Sequence, residues 1–190
     1  MCGIMKKICS MLVLMTCLGV FGAVERVDYT ETGSNIQKRQ FAGENNGFSV
    51  AGSSFVAFGV APMVEWPSAD YEIKGFRFNL FLADHMDVYG LDIGVLGNFV
   101  EREIGGVQIA GAFNVVGESG GTLQFATLCN YCKGDFAGAQ FGLVNITEKG
   151  RGFQFGIINR ANILYGVQVG VINYNASSSL PLAPFFNCAF

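Results

Sequence analysis

The feature that most constrains the fold of this chain is a short phrase repeated at a nearly constant spacing. Its clearest copies begin at Gly138, Gly152 and Gly166, and each reads Gly-x-Gln-x-Gly-x-x-Asn. The third position of successive copies recurs every 14 to 16 residues and is occupied by Arg77, Asp92, Gln108, Gln124, Gln140, Gln154 and Gln168. A fixed period of this length indicates that one structural unit is built again and again, so it takes precedence over weaker signals.

Apolar residues flank this polar third position on both sides, as in Phe153-Gln154-Phe155 and Val167-Gln168-Val169. Alternation with a period of two is typical of a β-strand with two different faces. The chain also contains 26 glycines, which disfavour helices, and turn-forming runs such as 117–121 and 148–151 separate the copies. We therefore expect an all-β protein.

Two all-β architectures fit this pattern. In a β-solenoid of about seven coils of 14–16 residues, parallel strands stack about 4.8 Å apart and equal positions form ladders. Parallel stacking requires like residues to keep phase, which favours the solenoid. The alternative is a small up-and-down outer-membrane β-barrel, whose strands of roughly 9–11 residues would cross the bilayer. The terminal Phe190, with Phe186 before it, resembles the C-terminal signature of such barrels.

The solenoid predicts an environment for each column of the repeat. We expect the aromatic column of Phe125, Phe141 and Phe155 to stack in the core and the amides to lie outside. Stacked amides pass hydrogen bonds from coil to coil, and an Asn at a corner also bonds the turn backbone. The expected ladder residues are Gln108, Gln124, Gln140, Gln154, Gln168, Asn98, Asn114, Asn130, Asn145, Asn159 and Asn173.

The chain divides into five expected segments. Residues 1–23 have the basic start, apolar centre and small-residue end of a signal peptide; cleavage is expected after Gly22, with lipidation at Cys17 as an alternative. Residues 24–47 form a polar linker or arm, 48–75 an N-terminal strand or cap, and 76–179 the repeat array. Residues 180–190 are expected to be one more, capping repeat, in which Asn187 continues the Asn column and Pro184 prevents further pairing.

Charge and motifs exclude several functions. The net charge of −3 becomes more negative when the leader and its lysines are removed, which argues against a nucleic-acid partner. No P-loop, dinucleotide fingerprint, HExxH or GxSxG motif occurs. We therefore expect no catalytic residue, no cofactor and no bound metal.

Three small clusters contain residue types that can carry chemistry. Asp84, His85 and Asp87 could ligate a metal, but their place between the first copies favours a solvated turn. The 101–103 run Glu-Arg-Glu is interpreted as a charged turn with local pairing. Cys129 and Cys132 have CxxC spacing, yet without a second pair we interpret Cys129 as a small buried residue in an apolar column.

The repeats resemble those of an uncharacterised bacterial family of surface-repeat proteins, in which Gly-x-Gln-x-Gly-x-x-Asn copies follow a signal peptide. The resemblance covers about residues 55–190 and includes an ending with Leu180-Pro181 and Asn187-x-x-Phe190. Arg77 and Asp92 depart from the pattern at the start of the array. The resemblance implies an exported, envelope-associated protein of unknown function and supplies no catalytic residues.

Together these observations predict an exported, non-enzymatic repeat protein that presents a β-surface at the cell envelope of a Gram-negative-type bacterium. Its location would be the cell surface, the outer membrane or the periplasm. Its partner would be an unknown protein or another envelope component, with outer-membrane association among the alternatives.

Overall fold

A computed structural model describes residues 51–61 and 64–190. Within these residues the chain is all-β, with eleven strands and no helix. Nor does this part of the chain contain a helix long and apolar enough to cross a membrane. In chain order the strands are β1 Gly52–Ala61, β2 Val64–Trp66, β3 Tyr71–Asn79, β4 Leu82–Gly94, β5 Gly97–Ala110, β6 Phe113–Val116, β7 Ser119–Ala126, β8 Cys129–Phe141, β9 Val144–Phe155, β10 Ile158–Asn175 and β11 Leu182–Ala189.

The strands of the array stack in parallel, each on the equivalent strand of the preceding coil. The register is that of the sequence repeat: Gln154 pairs with Gln140 and Gln168, and Asn159 with Asn145. The same in-phase pairing continues through β5, β7 and β8, where Gln108, Gln124 and Gln140 follow one another. The predicted β-solenoid of about seven turns is confirmed. The up-and-down barrel, which requires antiparallel neighbours, is wrong as an architecture.

The first glycine of the phrase allows a bend within each long strand. Gly152 and Gly166 have φ angles of 138° and 153°, a region that side chains rarely adopt. A Cβ atom on Gly166 would lie 1.9 Å from the carbonyl oxygen of Gly152 in the coil below. The glycine is therefore required both by backbone conformation and by the close approach of successive coils.

Both ends of the stack carry an antiparallel strand. At the start, β2 pairs antiparallel with β1, and β1 itself stacks in parallel on β3, with Ala57 opposite Arg77 in the Gln column. The array thus begins within the segment 48–75, before residue 76. The signal peptide and linker expected over 1–23 and 24–47 lie outside the described residues.

At the other end, β11 runs antiparallel to β10, not parallel as one more coil. The repeat spacing predicts that Asn187 pairs with Asn173. In the structure Asn187 lies opposite Gln168, and Ala183 lies opposite Asn173. Residues 180–190 therefore cap the edge of β10, but by reversing direction. The repeat spacing does not predict this reversal, because residues 176–181 form a turn that the preceding coils lack.

The interior of each coil has two unlike halves. One half is an ordinary apolar core between β-strands, built of Ala57, Ile73, Val88, Val100, Ile104, Val116, Cys132 and Phe136. The other half contains the side chains of the Gln and Asn columns, which are fully or almost fully buried. This second half positions the surface described next.

Candidate functional site

The Gln ladder is a continuous chain of buried hydrogen bonds. Each Nε2 donates to the Oε1 of the preceding glutamine: Gln124 to Gln108 at 2.8 Å, Gln140 to Gln124 at 2.8 Å, Gln154 to Gln140 at 2.7 Å, and Gln168 to Gln154 at 2.7 Å. A buried amide without partners would cost several kcal/mol, roughly 2–7 depending on the reference state. From Gln108 to Gln154, each glutamine has both its Nε2 and its Oε1 paired within the protein, so glutamine can fill a core position.

The Asn ladder runs beside it in the opposite donor direction. Asn114, Asn130, Asn145 and Asn159 each donate Nδ2 to the Oδ1 of the next Asn, over 2.8–3.0 Å. The same Nδ2 groups also donate to a turn carbonyl of the following coil, for example Phe155 O from Asn145. Asn79 starts this ladder by donating to Asn98 at 2.8 Å. The repeat does not identify it as an Asn-column residue, because later copies have Gly or Ala at its position.

The first copies supply a charged end to the Gln ladder. Arg77 donates through Nε and Nη2 to both carboxylate oxygens of Asp92, over 2.7 and 2.6 Å, and both side chains are completely buried. Gln108 donates to Asp92 at 3.0 Å. Because an ionised carboxylate can only accept, Asp92 forces Gln108 to donate towards it, and that orientation passes along the ladder.

These positions invert the predicted arrangement of the columns. The expectation of aromatic residues inside and amides outside is wrong: the amides are buried, whereas Phe125 is 38% and Phe155 52% exposed. We call the outward side of the Gln strands the aromatic face. Its residues are Phe58, Phe76, Phe78, Leu91, Ile93, Val107, Ile109, Leu123, Phe125, Phe141, Phe153, Phe155, Val167 and Val169.

A second apolar surface, which was not predicted from the sequence, adjoins the aromatic face. The short segment after most Gln strands exposes large apolar side chains, although such connections are usually rich in polar residues. We call this surface the apolar edge; its exposed residues are Leu80, Phe81, Val95, Leu96, Leu128, Leu143, Ile157, Val171 and Ile172. The signal was present in the phrase, since the two positions before each Asn are apolar in nearly every copy.

Most exposed charged residues of the array lie in a different part of the coil. In β9 they occupy 148–151. Leu143 and Ile157 are equivalent residues of successive coils, and 148–151 lies midway between them, half a coil from the apolar edge. We call this side the charged edge; it comprises Glu101, Arg102, Glu103, Glu118, Lys133, Asp135, Glu148, Lys149 and Arg151. Acidic and basic residues are mixed along it. The surface of the solenoid is therefore amphipathic around each coil.

The cluster at 84–87 is not a solvated turn, and that prediction is wrong. It lies inside β4, with His85 fully buried and Asp87 nearly so. His85 Nδ1 faces Arg77 Nη1 at 3.4 Å, whereas Asp87 accepts from Arg102 Nε at 3.1 Å, so the side chains engage different partners. No three potential metal ligands converge within 51–61 and 64–190. Burial, with Arg77 nearby, lowers the pKa of His85 to about 3, and the ring is neutral at neutral pH.

The run 101–103 also lies within a strand, β5, so its interpretation as a turn is wrong. Arg102 pairs with Asp87 of the preceding coil, and Glu103 accepts the hydroxyl hydrogen of Tyr89 at 2.8 Å. That hydrogen bond, more than the slight burial of the ring, raises the pKa of Tyr89 to about 12. The pairing is between coils and contributes to holding the charged edge together.

Cys129 and Cys132 are both buried thiols. Burial raises the pKa of Cys132 to about 12, so it carries no thiolate at neutral pH. Its side chain belongs to the apolar core. The two thiols lie three residues apart in β8, so strand alternation directs them to opposite faces, and they form no disulfide.

Comparisons with known proteins add no relative: no protein-family model, no curated protein and no solved structure matches this chain. The surface itself is therefore the basis for a functional inference. The candidate metal ligands His85 and Asp87 and the thiol of Cys132 are buried inside the stack. The aromatic face and the apolar edge are what the molecule offers to a partner, and what they can do is bind by burial of apolar area.

Proposed function

We propose that this chain is an exported, non-enzymatic repeat protein that presents a β-surface at the bacterial cell envelope. The observation that carries the proposal is the exposed apolar exterior of the stack. Contiguous exposed apolar patches of this extent are rare on soluble monomers and mark interaction surfaces. A role in structure or interaction needs such a surface and needs no catalytic group.

Export is the second element of the proposal and depends on residues 1–23. Lys6 and Lys7 followed by an apolar run have the pattern of a secretory leader. An exported protein with an apolar exterior would meet its partner in or beside the envelope. The partner is therefore an envelope component or a protein held there.

Cell fractionation tests this proposal. The full chain with a C-terminal tag is expressed in a Gram-negative host, and we expect it in the envelope fraction with a mass that corresponds to a new N-terminus at Ala23. The double variant Leu12→Asp, Leu14→Asp interrupts the apolar run of the leader and should stay unprocessed in the cytoplasm. A Cys17→Ala variant should behave like the original chain. An original chain found in the cytoplasm at full mass would overturn the proposal.

A further inference from the structure

The outside and the inside of each coil are amphipathic in opposite senses. Where the exterior is apolar, along the aromatic face and the apolar edge, the interior holds the Gln and Asn ladders. Where the exterior is the charged edge, the interior is the ordinary apolar core of Val88, Ile104 and Phe136. This inversion is what we expect of a protein that lies half in water and half in an apolar medium. The hydrophobic effect drives apolar side chains into the interior only where the exterior is water.

The backbone of the apolar edge is also suited to an apolar medium. A backbone group that enters hydrocarbon must find its hydrogen-bond partner within the protein. The N–H of Ile157, in the turn before β10, donates to Leu143 O of the preceding coil at 2.9 Å, and the N–H of Ile172, within β10, donates to Ile157 O at 2.9 Å. The turn-adjacent carbonyl of Phe155 accepts from Asn145. These turns are paired from coil to coil and do not depend on water.

The shape of this exterior fits a fluid partner better than a second copy of the chain. With strands about 4.8 Å apart, the aromatic face extends roughly 40 Å along the stack and about 10 Å across it. A flat partner laid on so narrow a strip would leave the adjoining apolar edge uncovered. The apolar surface then turns the corner at Leu143 and Ile157, where a flat partner would lose contact. A lipid bilayer can cover the face and the corner together.

From this arrangement we propose that the apolar edge and the adjoining aromatic face insert into the interfacial region of a lipid bilayer, with the charged edge remaining in water. The inference rests on the proposed function, since it names the envelope component as lipid. The charged edge mixes both signs, for example Glu148 beside Lys149, so attraction to anionic headgroups does not contribute. Binding is then driven by apolar area, and neutral lipid suffices.

Flotation with phosphatidylcholine vesicles tests the inference. The full chain is used with Leu12→Asp and Leu14→Asp in every sample, so that the leader does not carry the binding. The edge variant adds Leu143→Ser and Ile157→Ser, residues that are 44% and 49% exposed. The control adds Ile163→Ser and Tyr165→Ser, which are 38% and 54% exposed on the other side of the coil. Circular dichroism checks that all three proteins keep their strand content.

We expect the parent chain to float with neutral vesicles, equally well with added anionic lipid and at high salt. The edge variant should lose about tenfold in vesicle partitioning, because two half-exposed aliphatic side chains no longer enter the apolar phase, and the control should bind like the parent. A parent that stays at the bottom of the gradient, floats only with anionic lipid, or elutes as a dimer without floating would overturn the inference. So would an edge variant that binds like the parent.

The two proposals fail separately. A chain that reaches the envelope in cells but does not float with vesicles would leave the proposed function standing and contradict lipid insertion. A chain that floats but remains cytoplasmic in cells would contradict the proposed function, while the measured lipid binding would stand as a property of the solenoid surface.

Discussion

Each interior glutamine of the Gln ladder is donor to one neighbour and acceptor from the other. Replacing Gln140 by Leu, of similar size, leaves Gln124 Oε1 without its donor and Gln154 Nε2 without its acceptor. Each buried group left unpaired costs about 1–3 kcal/mol. We therefore expect Gln140→Leu to lower the free energy of unfolding by about 2–5 kcal/mol, measured by urea denaturation.

The control for this prediction is Leu143→Ala, a neighbouring position on the apolar edge. Its side chain is 44% exposed, so the loss should stay within about 1 kcal/mol. If Gln140→Leu is as mild as the control, the ladder does not contribute to stability in the way its geometry indicates.

Because His85 is buried and neutral, we expect the free energy of unfolding to fall at acidic pH. Its folded pKa of about 3 lies below the ordinary value of 6.5, so the unfolded chain takes up the proton first. Stability from this group is complete above about pH 6.5 and is lost as the pH falls towards 3. Between about pH 7 and pH 5 the free energy of unfolding should drop by about 2 kcal/mol. The variant His85→Gln, which cannot titrate, should show a flatter pH dependence in thermal melts; an unchanged slope would contradict this assignment.

At the scale of elements, the first glycine of each phrase determines how closely successive coils approach. A Cβ on Gly152 would lie 1.9 Å from Gly138 O, and its φ is 138°, whereas a Cβ on Gly121 meets nothing within 4 Å. We expect Gly152→Ala to destabilise the solenoid by at least about 3 kcal/mol, since strain and overlap add. The matched variant Gly121→Ala should change stability by less than about 1 kcal/mol. Thermal unfolding of the pair provides the measurement.

The buried pair at the start of the Gln ladder is predicted to be replaceable as a unit. Asp92→Leu alone leaves the Arg77 guanidinium buried without its carboxylate, which costs about 3–5 kcal/mol. The double variant Arg77→Gln, Asp92→Gln extends the amide ladder by two coils, and most of that loss should be absent from it. Guanidinium denaturation compares them. A double variant no more stable than Asp92→Leu would show that the charges themselves are required.

At the scale of the whole molecule, the antiparallel strand β11 closes an edge that would otherwise template further coils. Gln168 Oε1 has no hydrogen-bond partner at this end of the Gln ladder. Deleting residues 180–190 exposes the edge of β10, and exposed strand edges pair with other molecules. We expect the shortened chain to associate end to end, seen as an increase in light scattering relative to the full chain. Deleting Phe190 alone, which lies beyond β11, should leave scattering unchanged.

The inverted distribution of polar and apolar residues is likewise a property of the whole stack. An isolated strand with the pattern Phe-Gln-Phe would be expected to turn its aromatic side inward, because burying apolar area is the usual driving force. In the stack, each buried amide gains one neighbour above and one below. The cost of burying it is offset by neighbours that only the assembled coils provide.

Sequence by itself determined the period and the identity of the ladder residues, and it favoured parallel stacking over an antiparallel barrel. The physical reason is that parallel, in-register coils are the arrangement in which a constant spacing of Gln140, Gln154 and Gln168 has a structural purpose. Asn79 was not predicted as a ladder residue because it reaches the Asn ladder from a different position in the phrase.

Only the tertiary structure decided which side of each strand faces inward, and with it the candidate site. Alternation with a period of two defines two faces but does not say which is buried. The choice depends on contacts between coils: the amide ladders, the pairing of Arg77 with Asp92 and of Arg102 with Asp87, and the close packing at Gly152. These contacts join residues that are about one coil apart in sequence. Whether a side chain faces inward therefore depends on the coil above or below it and not on its neighbours along the chain.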